Sequence, residues 1–183
     1  MPVDKSRGST RSILLLLLFF ALYFYRLGAA NVEALLNYPF WLDMGPMMSN
    51  ADFIQLRTDQ VWKIVPIMVA PFGLLVLITS ALALLGAPPV PRWVFIGAFA
   101  LQLVAGVSTV TVQVPIQLQL DTSGYDAAAL ERLISTDLLF RKLPSMIEGI
   151  FVILGLWHII RAARSASQAA GPKTSGFTIA DGR

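Results

Sequence analysis

The chain has 183 residues, 56% of them hydrophobic and 14% charged, with a net charge of +3 and no cysteine. Water-soluble domains carry charge on about a quarter of their residues, so this composition points to a membrane protein and excludes an ordinary soluble enzyme. The lack of cysteine excludes disulfides, thiolate nucleophiles and iron–sulfur ligation, and basic residues confined to short tails and loops give no reason to expect nucleic acid as a partner.

Residues 1–12 form a basic N-terminus, and an apolar run follows at 13–36. At 1.5 Å per residue that run is long enough to cross a hydrocarbon core of about 30 Å. A basic stretch, an apolar core and the small residues Gly28 and Ala30 also resemble a cleaved secretory signal over 1–30. The helical pattern continues through Asn37, which favours a retained span. The next segment, LDMGPMMSNADFIQLRTDQVWK, breaks at Gly45 and Pro46 and then predicts a short helix into Trp62.

A second span is expected at 64–86, with Pro66 and Pro71 as kinks, and the turn GAPPVPR joins it to a third at 94–117 that carries Pro115. The short turn makes these two helices antiparallel neighbours. In YDAAALERLISTDLLF, apolar residues recur at Leu130, Leu133, Ile134 and Leu138, with Asp126 placed as an N-cap. That pattern predicts an amphipathic helix lying on the outer face. The fourth span is expected at 144–162, followed by a flexible tail at 163–183. Trp41, Trp62 and Trp93 fall near predicted boundaries, where indoles anchor. There is no internal sequence repeat.

The predicted fold class is therefore all-α: an integral membrane four-helix bundle with one membrane domain over 13–162. Eight basic residues (Lys5, Arg7, Arg11, Arg92, Arg161, Arg164, Lys173, Arg183) fall on one side and five (Arg57, Lys63, Arg132, Arg141, Lys142) on the other. The richer side is cytoplasmic by the positive-inside rule, which puts both termini inside.

Polar residues within the spans carry what can be said about function. Counting from Ile13, Arg26 lies about 20 Å into the membrane and Glu33 near the outer boundary. Glu148 on the fourth span lies within a turn of the depth of Arg26, and Gln102, Gly106, Thr109 and Gln113 form a small or polar stripe on the third. A lone charge in mid-bilayer costs at least about 2.5 kcal/mol, so Arg26 requires a partner. Glu148 is the first choice and Glu33 the second. The expected site is an outward-facing polar pocket lined by Arg26, Glu33, Gln113 and Glu148, with Lys63, Arg141 and Lys142 at its mouth. Such a site suits a lipid-like or amphiphilic small molecule, or alternatively an ion pair that only fixes helix register.

No metal or cofactor site is expected. His158 is the only histidine, and a Glu-x-x-His metal pair is ruled out because position 155 is Gly155. No nucleophile triad or phosphate-binding loop is present, so no catalytic residue is assigned.

The succession GAANVEALLNYPFW after the first span, VQVPIQLQL closing the third and GYDAAALERLISTDLLFR before the fourth resembles small bacterial four-helix membrane proteins related to the anthrone-oxygenase-like family. Members show small-x-x-x-Glu with Pro-x-Trp, a Val-Pro-Ile-Asn turn, and a Gly-Phe-Asp helix ending in Asn-Trp-x-Arg. The resemblance covers about residues 20–160. It implies a bundle in the bacterial cytoplasmic membrane and, for a few relatives, cofactor-independent oxygenation of polycyclic aromatics. The chain departs from the pattern at Gln117, at Leu138, at one residue inserted before Arg141, and at Glu148. Those are positions a shared activity would use. An accessory subunit with membrane-protein partners is the other reading.

Overall fold

The computed structural model describes residues 5–169, leaving aside the side chains of 5–9, 61, 62 and 65. The described residues form four long helices joined by tight turns, each with a stretch long and apolar enough to cross a membrane. The first runs through Lys5–Val32, Glu33–Asn37 and Tyr38–Met44. The second runs through Asn50–Ile64, Val65–Val69 and Ala70–Leu85, the third through Arg92–Ser108, Thr109–Gln113 and Val114–Ser123, and the fourth through Ala127–Asp137, Leu138–Lys142 and Leu143–Ala169.

In each helix the middle segment of five residues is a wide π-turn, and a proline follows two residues after it: Pro39, Pro71, Pro115 and Pro144. Proline lacks an N–H, and its ring collides with the carbonyl four residues back. Widening the preceding turn moves that carbonyl aside, so the helix continues instead of breaking. The turns close by bonds five residues apart, from Tyr38 N–H to the Glu33 carbonyl, Val114 to Thr109 and Leu143 to Leu138. The carbonyl of Phe140, four residues before Pro144, accepts instead from the Ser108 hydroxyl of the third helix at 3.2 Å.

This continuity changes the expected boundaries. Residues 50–64 and 127–137 are not short helices lying on the outer face. They continue into the second and fourth helices without a break, through the π-turns. Asp126 does cap the fourth, its carboxylate accepting the Ala129 N–H at 3.1 Å. The fourth helix also continues to Ala169, past the predicted end at 162, and the rest of the expected tail lies outside the described residues, as do residues 1–4 of the N-terminus. At 43 residues it is about 65 Å long, roughly twice a hydrocarbon core.

The extra length builds a second core. A proximal core, beside the 86–91 turn, packs Leu16, Phe19 and Tyr23 of the first helix against Leu75, Leu82, Phe95 and Val152. A distal core at the opposite end packs Tyr38, Trp41, Phe53, Ile116, Leu120, Leu130 and Leu133. Trp41 is therefore buried, donating to Gln60 at 2.9 Å, and is no interfacial anchor, whereas Trp93 is exposed as expected. The side chain of Trp62 lies outside those described. Outward faces are apolar, and on the first helix the exposed strip runs from Ile13 and Leu14 through Leu35, Leu36 and Phe40 to Met47.

Gly86 and Gly124 end the second and third helices in the left-handed region, at φ 76° and 87°, where a Cβ is disfavoured. Gly45 is tight for a different reason: a Cβ there would run into the Tyr125 ring, which packs on Phe53. Gly45→Ala is expected to destabilise the distal core by about 1–3 kcal/mol through overpacking, read as a lower midpoint of thermal unfolding in detergent. Gly28→Ala, whose added methyl would meet nothing within 4 Å, serves as the neutral comparison.

Candidate functional site

Among the described residues, three buried ionic clusters lie along the inner faces of the four helices. The deepest joins all four. Arg26 reaches across from the first helix and donates to Glu148 at 2.8 Å and to the Ser145 hydroxyl at 2.8 Å. The other Glu148 oxygen accepts from Gln102 of the third helix at 2.6 Å, and Gln102 also donates to Thr79 of the second at 3.0 Å. The Arg26 guanidinium lies 4.5 Å above the Phe72 ring, and Tyr23 donates to the Ser145 carbonyl at 3.0 Å. Glu148 is fully buried. Its charge is tolerable because one oxygen meets a guanidinium and the other an amide, which replaces the water it has lost.

Glu33 does not contact Arg26. It pairs with Arg141 at 3.2 Å, and the same guanidinium meets Asp137 at 2.9 Å. Arg141 is thus the centre of a second cluster and not a residue at a pocket mouth. The π-turn explains the neighbour on the first helix: an ordinary helix would bring Asn37 beneath Glu33, but the wide turn adds a residue and brings Tyr38 inward. The Tyr38 hydroxyl, on a side chain 2% exposed, faces Asp137 and Arg141 without closing a hydrogen bond.

Gln113 is also brought to this level and not to Arg26. It donates to Thr136 at 2.8 Å, and its carbonyl oxygen has no hydrogen-bond partner. Lys142 is half-buried and Lys63 is exposed, and neither makes an ion pair among those described.

The third cluster has no counterpart among the residues that the sequence singles out. In the distal core Arg57 donates to Asp121 at 2.6 Å and stacks on Trp41 at 4.3 Å. Arg57 is 1% exposed, and both of its terminal nitrogens lack partners.

Space around these groups is scarce. The crevice beside Arg26, lined by Tyr23, Leu27, Ala30 and Ser145, holds about 10 Å³, which is the size of a single water. The expected site residues therefore form a filled core in place of an open pocket. A larger hollow, about 450 Å³, is an open apolar groove on the outward side of the third and fourth helices, lined by Leu103, Val104, Val107, Ser108, Thr111, Val112 and Phe140. Its two hydroxyls are already engaged, Ser108 with the carbonyls of Ala105 and Phe140 and Thr111 with that of Val107.

Among the described residues no three His, Asp or Glu side chains are grouped to hold a metal ion. His158 is half-buried near the end of the fourth helix, away from the clusters. Comparison with known proteins finds no matching family model, curated protein or solved structure.

Proposed function

We propose that the chain is a four-helix bundle of the bacterial cytoplasmic membrane, with both termini inside, and that it serves as an accessory subunit of a larger membrane assembly. The observation that carries this reading is the closed interior. Glu148 has both oxygens occupied by Arg26 and Gln102, and the space beside the pair admits no molecule larger than water. Such a network fixes the register of four helices, which is what a scaffold requires. Oxygenation of a polycyclic aromatic, the chemistry implied by the family resemblance, would need a ring-sized cavity against these groups, and the crevice does not offer one.

Binding of a lipid-like molecule is favoured at a different place from the polar cluster. The groove between Leu103 and Phe140 presents apolar side chains and no free polar atom, so it suits a lipid tail and not a headgroup.

Native mass spectrometry of the chain extracted in mild detergent is expected to find it in a complex of fixed stoichiometry. That complex is expected to survive the paired exchange of Arg26→Met with Glu148→Met, which keeps the packing and removes both charges. A lone chain, or an assembly-independent turnover lost in the paired variant, would refute the scaffold reading.

A further inference from the structure

The second cluster has a feature that the scaffold role does not use. Two carboxylates, Glu33 from the first helix and Asp137 from the fourth, are both buried and share one guanidinium, that of Arg141. The charges facing them come from these two helices alone. Arg26 is matched by Glu148, and Lys142, half-buried on the next residue of the fourth helix, acts on both acids at longer range without closing an ion pair with either among those described. The third helix contributes Gln113 and Thr109, which are uncharged, and the nearest turn of the second, Val65–Val69, contains no ionisable residue. The two buried acids therefore share a single cation in direct contact, in a place where a carboxylate without its own contact partner is costly.

A second observation is the buried Tyr38 hydroxyl, which lies beside Asp137 and Arg141 and interacts with both without closing a hydrogen bond within 3.5 Å. A hydroxyl can donate to a carboxylate or accept from a carboxylic acid. It can therefore serve either protonation state without rearrangement of the ring. We propose that Glu33 and Asp137 hold one exchangeable proton between them, at a site completed by Arg141 and the Tyr38 hydroxyl.

The site would bind and release that proton as the single step Glu33/Asp137 carboxylate plus H⁺ to carboxylic acid, exchanging with water at the distal end. Its position makes this more than a local event. Glu33 and Arg141 both lie in π-turns, so the ion pair that changes strength on protonation ties together the two most irregular turns of the first and fourth helices.

Infrared difference spectroscopy on the full chain in lipid bilayers tests the assignment. A carboxylic acid C=O band is expected at neutral pH and is expected to disappear on alkaline titration. Glu33→Gln and Asp137→Asn should each abolish it, because the remaining acid then has Arg141 to itself and ionises. Tyr38→Phe keeps the packing, so it should shift the band without removing it. Absence of the band at neutral pH, its persistence in both acid variants, or its loss on adding sodium at constant pH would overturn the proposal, the last by making the site one for a metal cation. An unshifted band in Tyr38→Phe would overturn it even if the acid variants fail to fold.

Discussion

Replacing Glu148 by leucine is expected to lower the stability of the folded chain by about 3–5 kcal/mol, the usual cost of stranding one partner of a buried ion pair. Arg26 would keep its contact with Ser145 and its place over Phe72, but neither neutralises a cation. Gln102 would lose its shorter hydrogen bond and keep only Thr79. The paired exchange Arg26→Met with Glu148→Met should recover most of the loss, since no unmatched charge then remains among the helices. Reversible unfolding in mixed micelles measures both variants. Equal loss in the single and paired exchanges would show that packing, and not charge, is what Glu148 supplies.

The distal cluster predicts an asymmetry. Arg57 is 1% exposed, while the Asp121 side chain is 22% exposed. Asp121→Leu leaves a buried guanidinium whose other nitrogens already lack acceptors, and a loss of about 3–5 kcal/mol is expected. Arg57→Met removes the buried charge, keeps a flexible apolar side chain on Trp41, and leaves the aspartate within reach of water. Its stability is expected to stay within about 1 kcal/mol of the parent. The same unfolding measurement separates the two, and comparable losses would mean that the stacking on Trp41 dominates.

That the chain has four helices long and apolar enough to cross a membrane was legible in the sequence, because this depends on composition over some 20 residues, which no tertiary contact alters. The pairing of Arg26 with Glu148 was legible because depth is set by counting residues at a fixed rise, and both lie on the proximal side of the π-turns. Beyond those turns the counting fails. One added residue per helix rotates everything that follows, so Tyr38 takes the place expected for Asn37; Glu33, seven residues and about 10 Å along the helix from Arg26, is at the level of Arg141 and pairs with it.

The signal for the turns was nonetheless present, as a proline inside each helix. Pro71 and Pro115 read as kinks, and Pro39 and Pro144 complete the set. The partnership of Arg57 with Asp121 was not legible, since it joins residues 64 apart in sequence on segments whose length and polarity suggested outer loops. Asp137, Arg141, Ser145 and Glu148 follow one another at intervals of four, four and three. That stripe could have drawn attention to the fourth helix as the main carrier of the buried polar groups.

The outward strip of the first helix bears on the lipid around it. Exposed apolar side chains extend from Ile13 to Met47, about 50 Å of helix against a hydrocarbon layer of about 30 Å. An apolar flank longer than the hydrocarbon layer is relieved by local thickening of the bilayer or by tilt of the helix. In a bilayer the lean of the first helix is therefore expected to grow as the acyl chains shorten.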